Sequence, residues 1–559
     1  MISARTRGRR FAGALVATAA ATTLLLAGCT ADTSSSSQGG DGSGTMLTIP
    51  REDMGTFSRN FNPFSPNAAP MTQQAIYESL LIYNPADGST VPWLAESWEA
   101  SDDGLTLTFH LRDGVKWSDG EPFTATDVAT TFALQQQIVE GSFPYVERVE
   151  ATDDLTAVFT LSEPFSPGLF EVGQQIIVPD HVWADQADPD RFENPEPVGT
   201  GPYTEVSNFQ TQSFDLLPNP NYWQPDKQQI AGVRMLAFAG NDGANLAAIN
   251  GDVDWAPQFM PDIQTTYVDR DPEHRHYWFP PTGSMVNWQL NTTEEMFSDP
   301  EVRKALSLAI DREQIVDVGM AGYTIPADCS GLSGSYETWK DASLDGECGW
   351  IAFDPEEAGT MLDEAGYELG SDGTRTTPDG EPFAFDISVG STSTDWLSVA
   401  NIISQNLADI GVTATVNAPD WAAVTAGYEQ GDFDSGIVWS DNAPTPYQYY
   451  RSLMSSETLK PVGEQTFSNY HRFSDEKADE LIDAFAATSD EAEQHDIVNQ
   501  LQQLYVDDAP VVPLFPGPEW GAYTDARFTG WPTEDNPYAT LSTRSPTTVL
   551  VLTSLQPAA

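Results

Sequence analysis

Residues 46–559 run on without an internal repeat, and a single hydrophobic core stops growing at roughly 250–300 residues. The chain therefore has to divide its interior between at least two cores. Local patterning shows what they are built from. Met46-Leu-Thr-Ile-Pro reads as a first strand, followed by a Phe/Asn/Pro loop over 57–70. Residues 72–81 carry helical periodicity, whereas Leu105-Thr-Leu-Thr-Phe-His-Leu alternates strictly and predicts a half-buried strand closed by an Arg112-Asp-Gly turn. Residues 151–161 predict a hairpin around Asp153-Asp154. Asp299-Pro300 and Asp354-Pro355 open helices over 301–311 and 355–365, the second stopped by Gly366. A further helix over 397–410, with Gly411 past its end, leads into a strand over 412–416, and 475–487 and 491–505 are amphipathic as well. Strands and helices interleave throughout, which predicts α/β layers rather than a solenoid or a sandwich.

The segment before residue 46 obeys different rules. Arg5, Arg7, Arg9 and Arg10 form a positive stretch with no acid among residues 1–28, and 11–28 then runs apolar and small up to Leu26-Ala-Gly-Cys29. That run is long enough to span a bilayer. Its Ala/Thr-rich second half and small-small-Cys end instead follow signal-peptide grammar. Leu-Ala-Gly-Cys resembles the bacterial lipobox, so Cys29 is the expected lipidation site and mature N-terminus. Arg9-Arg10-Phe11 also looks like part of a twin-arginine signal, which leaves the export route open. Residues 30–45 are rich in Ser and Gly and hold no large apolar side chain, so they read as a flexible tether. This order predicts an extracytoplasmic body anchored through lipid at Cys29 to the outer face of the cytoplasmic membrane.

Charge and cysteine usage exclude several functions. With 83 Asp and Glu against 25 Lys and Arg, the formal charge is −58, which repels nucleic acid and anionic lipid. No nucleic-acid partner is expected. Cys329 and Cys348 share an oxidising compartment and a Gly-containing intervening segment, and they read as a structural disulfide. Such a loop closure favours the fold by roughly 3 kcal/mol in the chain-entropy model; a pair of free buried thiols is the alternative. The six His are scattered and neither cysteine has a CxxC partner, so no metal site is expected. Nor is there a GxSxG elbow, an HExxH, a P-loop or a GxGxxG. Among 83 acids, carboxylate pairs carry no glycosidase signal by themselves. Neither an enzyme nor a cofactor is expected, and a secreted glycoside hydrolase is the remote alternative.

Four segments resemble one family, the ABC-transporter solute-binding proteins of family 5, whose members bind peptides, nickel or oligosaccharides. The first is Leu94-Ala-Glu-Ser-Trp98 with the stretch from Ser101-Asp-Asp-Gly-Leu through Leu111-Arg-Asp-Gly-Val-Lys-Trp-Ser-Asp-Gly-Glu-Pro to Val128. The second is Pro197-Val-Gly-Thr-Gly-Pro-Tyr203 followed by Asn219-Pro-Asn-Tyr-Trp223. The third is Ser298-Asp-Pro-Glu-Val-Arg-Lys-Ala-Leu-Ser-Leu-Ala-Ile-Asp-Arg312, and the fourth Phe353-Asp-Pro-Glu-Glu-Ala358 through Asp363-Glu-Ala-Gly-Tyr367. They stand in family order and spacing across 46–559. Asp113-Gly114 and Asp119-Gly120 supply tight turns and Thr126-Asp127 is placed to cap a helix, so these are scaffold motifs that hold no ligand.

The resemblance implies a two-lobed, type II periplasmic-binding-protein-like α/β fold with a central ligand cleft that closes by hinge motion. Lobe I is expected from 46–85, 198–290 and 527–559, with an inserted third subdomain at 86–197, and lobe II from 291–526. It further implies a monomeric binding lipoprotein that captures a small solute and hands it to the permease of an ABC importer, whose ATPase supplies the energy.

The ligand is read from departures within the family pattern. Peptide binders of the family carry Trp-x-x-Asp-x-x-Asp-Pro, whose first acid pairs with the peptide amine. Here the stretch is Trp439-Ser-Asp-Asn-Ala-Pro-Thr-Pro446, with Asn442 at the amine position and Asp441 one residue earlier. A neutral amide leaves a buried ammonium unpaired, at a cost of several kcal/mol. The continuation, Pro444 to Arg451, and the tail, Gly530 to Tyr538, look similar to the oligosaccharide-binding subgroup. Sugar sites want flat aromatics beside amides and carboxylates, and the chain has 15 Trp and 18 Tyr, although aromatics are more often core than platform. The expected ligand-binding residues are Asn60, Phe61, Asn62, Trp288, Trp396, Asp420, Trp421, Trp439, Asp441, Asn442 and Tyr447. An oligosaccharide is the first reading and an oligopeptide the second.

Overall fold

The strand Leu47–Arg51 is apolar and buried on its first four positions because it lies inside a sheet, parallel to Val233–Ala237. The computed structural model describes residues 45–139, 141–344, 348–440 and 442–559; the expected signal segment, Cys29 and nearly all of the tether lie outside the described residues. Ser213–Pro218 and Tyr203–Gln210 complete this first, four-stranded sheet. Beside it stands a four-stranded antiparallel sheet, Ala95–Ala100, Thr106–Leu111, Thr156–Leu161 and Val146–Asp153 in spatial order 1-2-4-3. One hydrophobic core runs through both, from Leu47 and Ile49 to Phe109, Phe159, Phe214 and Met235.

A second, separate core fills the lobe around a five-stranded sheet ordered Thr413–Asn417, Ala384–Ser388, Ser435–Trp439, Pro281–Leu290, Val512–Pro518. The first three strands are parallel and the last two pair antiparallel to them or to each other. The fold is thus α/β and two-lobed. Strand pairing sets where the chain crosses. Pro281–Leu290 hydrogen-bonds wholly within the second lobe's sheet, whereas Ala522–Thr524 pairs with Trp255–Ala256 and Arg275–Tyr277 in the first. By strand pairing the chain passes from one lobe's sheet to the other's across 278–281 and back across 518–522, near the expected boundaries at 290 and 526.

Most elements fall where periodicity puts them, and their ends have visible causes. Asp354 accepts from the Glu357 amide to start Pro355–Glu364, and Gly366 (φ 88°) ends it. Asp475 and Asp490 cap Glu476–Ala487 and Glu491–Asp508 in the same way. Three expectations are corrected. The helix over 72–81 is a single wide turn, Thr72–Ile76, because Ser79 leaves it to bridge Ile176 in extended form. The cap of Ala125–Ile138 is Thr124, with Asp127 reaching back to the Thr124 amide, rather than Thr126-Asp127. The helix over 301–311 stops at Leu308, since Asp311 caps a new turn at Gln314. Cys329 and Cys348 are joined by a disulfide. Among the described residues no helix is long and apolar enough to cross a membrane.

Candidate ligand-binding site

A cavity of about 780 Å³ opens between the lobes. On the second lobe its wall is made at the carboxyl ends of the three parallel strands, where open α/β sheets present their crevice. Ala384–Ser388 delivers Thr392, Ser393, Asp395 and Trp396; Thr413–Asn417 leads to Trp421 and Thr425; Ser435–Trp439 ends on Trp439 and leads to Asn442. Trp421 and Thr425 sit four apart on one helix and so share a face. The Trp396 and Trp421 rings meet edge to face at 5.7 Å, and Trp421 Nε1 donates to Ser393 Oγ at 3.2 Å. Two glycines seat these rings. A side chain at Gly390 would collide with the Trp421 indole, and one at Gly517 would come within 2.6 Å of the Trp439 ring.

The first lobe answers with polar groups. Glu52 and Asp53 follow the first strand, Tyr83 comes from the hairpin Leu81–Asn84/Ser89–Pro92, Asn241 opens the helix Asn241–Asn250, and Arg544 reaches in from the C-terminal tail. Arg544 pairs with Glu52 and Asp53 at 2.9 Å each, and Arg51 pairs with Asp53 at 2.6 Å. Burial alone would lower Arg544, but Asp53 and Glu52 outweigh it and hold the guanidinium above its ordinary value. Half of that side chain's surface is exposed, and the exposure opens on the cavity. Gln258 donates to Asn245 at 3.1 Å while its Oε1 is buried without a partner. Asn241 Nδ2 reaches Thr394 Oγ1 across the cleft at 3.5 Å.

The crossing segment closes the end. Trp520 packs edge-on against Phe259 at 5.3 Å, and Glu519 beside it is raised by burial against opposing help from Ser542 and Arg544. Asp395, 5 % exposed, is pushed up to about 6 by burial despite the backbone amides of Trp396 and of its own residue, with Glu52 adding to the rise.

Of the expected site residues, the structure brings Trp396, Trp421, Trp439 and Asn442 together on this cavity; Asp441 lies outside the described residues. The others are placed elsewhere. Asn60, Phe61 and Asn62 form a structural turn: Asn60 Nδ2 donates to Ser65 Oγ, Asn62 Nδ2 to the Pro189 carbonyl, and Phe61 packs on Phe209 and Phe214. Trp288 is fully buried on a central strand and stacks on Phe385. Asp420 caps its helix by accepting from the Ala423 amide, and Tyr447 stacks on Phe485. A Phe/Asn/Pro loop and a Trp near a crossing are thus packing features here. Sequence reasoning missed Tyr83, Gln258, Phe259, Asp395, Glu519, Trp520 and Arg544, which come from segments far apart in the chain. Asp395, next to the chosen Trp396, is the one with a readable signal. No group of three or more His, Cys, Asp or Glu among the described residues could hold a metal ion.

Two lobes joined by crossing strands, with an aromatic and polar cavity between them, define a two-lobed solute-binding protein. The chain belongs to the bacterial extracellular solute-binding proteins, family 5, whose family model ("family 5 Middle") matches residues 89–460. It is 26% identical over 508 residues to the nickel-binding periplasmic protein of Escherichia coli, covering 86% of this chain and 90% of that one. A periplasmic oligopeptide-binding protein of Thermotoga maritima with bound mannohexaose superposes with a TM-score of 0.84 at 25% identity, over 92% of this chain and 99% of that one. An oligopeptide-binding protein of Bacillus subtilis, in complex with a nonapeptide, shares the fold with a TM-score of 0.78 at 21% identity, over 92% and 100% of the two chains.

Proposed function

We propose that this solute-binding protein of an ABC importer captures an oligosaccharide in the interlobe cavity and delivers it to the permease, tethered outside the cell membrane by lipid at Cys29. It is a transport component and carries out no chemistry on the ligand. One observation carries the ligand reading: flat indoles line one wall, and the single cation among the described lining residues, Arg544, is already committed to Glu52 and Asp53. A peptide carboxylate finds no unengaged cation there, while sugar rings find apolar faces and hydroxyls find Gln258 Oε1, Ser393 and Thr392. The volume is at the upper part of the range for small-molecule sites, which suits an oligomer better than a monosaccharide. The mannohexaose bound by the Thermotoga protein points the same way.

An oligopeptide is the second reading, favoured by the four acids Glu52, Asp53, Asp395 and Glu519 that line the cavity and by the nonapeptide bound by the Bacillus protein. Thermal unfolding against a panel of gluco-, xylo- and manno-oligosaccharides and peptides separates them. A ligand at about 100 times its Kd adds about 2.7 kcal/mol of stability. A shift with oligosaccharides and none with peptides is expected; the reverse result would establish the peptide reading. Replacing Cys29 by Ser is expected to release the protein from the membrane fraction.

A further inference from the structure

The charges that line the cavity do not balance, and the imbalance is localised. Arg51, Arg544, Glu52 and Asp53 form a closed quartet of two cations and two acids. Asp395 and Glu519 stand outside it. Neither has an ion pair among the described residues, although Glu519 is helped by Ser542 and by the charge of Arg544. Asp395 is more than nine-tenths buried on the cavity wall, where only backbone amides of its helix's first turn favour its charge and Glu52 repels it. A buried carboxylate without a counter-charge is unfavourable unless something supplies one. Trp396, Trp421, Trp439 and Trp520 supply aromatic surface on the same cavity, and indole faces attract cations. Gln258 Oε1 adds an unpartnered acceptor.

We propose that the ligand is a basic oligosaccharide, one whose sugar rings carry protonated primary amines, and that Asp395 is the carboxylate that pairs with an amine. This rests on the oligosaccharide reading and narrows it. The cavity offers an ammonium one buried acid that no cation faces, Asp395, with Glu519 as a second and partly compensated one. It offers a carboxylate no unengaged cation, so a ligand with amines and no acid matches both facts at once. A zwitterionic peptide matches only the first.

Titration calorimetry at pH 6.5 with three matched tetrasaccharides tests this: a β-1,4-glucosamine oligomer, its N-acetylated form and the plain gluco-oligomer, with a tetrapeptide as a fourth probe. A charge-assisted hydrogen bond in a desolvated site predicts that the amine form binds about ten- to a hundredfold more tightly than either neutral form. Asp395→Asn collapses that ratio towards one, and Glu519→Gln, read beside it, reduces it less; thermal unfolding of both unliganded variants verifies that they fold. Equal binding of all three sugars would overturn the amine proposal and leave the oligosaccharide reading standing. Binding of the peptide alone would overturn both. A preference for the amine form that survives in the Asp395→Asn variant would overturn the assignment of Asp395.

Discussion

The two walls of the cleft solve opposite problems. The second lobe presents Trp396, Trp421 and Trp439 from the ends of parallel strands, held by steric fit against Gly390 and Gly517. The first lobe presents Glu52, Asp53 and Arg544, held by one another through ion pairs. A wall of ring faces gains by displacing water from apolar surface, while a polar wall gains only where the ligand replaces the hydrogen bonds that water made. On the oligosaccharide reading, most of the binding free energy is expected from the second lobe's ring faces, and orientation and selectivity from polar groups on both walls, Asp395 of the second lobe among them. Asn241 to Thr394 bridges the two walls.

That division can be broken by mutation. The largest effect is expected from Trp421→Ala or Trp439→Ala, each lowering oligosaccharide affinity about a hundredfold, as for central aromatic anchors elsewhere; calorimetry showing less than a threefold loss from both would remove the second lobe's leading role. Next comes the opposite behaviour of two carboxylates. Burial would raise Asp53, but Arg544 and then Arg51 outweigh it and hold it low, so its contribution to stability is present above its unfolded value near 3.8 and is lost as pH falls through its depressed one. Asp395, raised to about 6, does the reverse: its contribution is full below about 3.8 and lost as pH rises through 6. Unliganded protein is expected to gain about 2–3 kcal/mol from Asp395 on acidification from pH 7 to 4, a gain absent from Asp395→Asn when unfolding midpoints are compared across pH. Arg544→Gln, which strips Glu52 and Asp53 of their shared cation in a partly exposed site, is expected to cost about 1–2 kcal/mol of stability at pH 7 in a denaturant titration. The smallest effect is expected from Gly390→Ala: it pushes the Trp421 ring off its seat and lowers affinity about tenfold, while the melting temperature without ligand hardly changes.

The scaffold was far more readable from the sequence than the site, for a physical reason. Strand alternation over 106–111 and capped helices such as Pro355–Glu364 are set by neighbours within a few residues, so local pattern suffices. The cavity draws on segments around 52, 83, 241, 258, 392–396, 421, 439, 519 and 544, whose proximity exists only after both lobes have folded. Trp439 ends a strand, and Trp396 and Trp421 stand in the first turns of helices that follow strands, so their places beside the crevice were readable from local pattern. Trp288, chosen for its nearness to the crossing, sits in mid-strand inside the second lobe's sheet, and only its cross-strand pairing to Ile437 and Val512 shows that it is interior. Arg544 carries no local signal at all. Its role follows from Glu52 and Asp53, almost the whole chain away.

The central claim, that sugar rings lie on the second lobe's indoles with their hydroxyls turned to the first lobe's polar groups, is tested most directly by a crystal structure grown with the tightest oligosaccharide of the panel. The account predicts pyranose faces stacked about 4 Å from Trp421 and Trp439, with hydroxyl groups bonded to Gln258 Oε1 and the Arg544–Asp53 wall. A ligand bound outside this cavity, or lying in it with its rings turned away from both indoles, would contradict it.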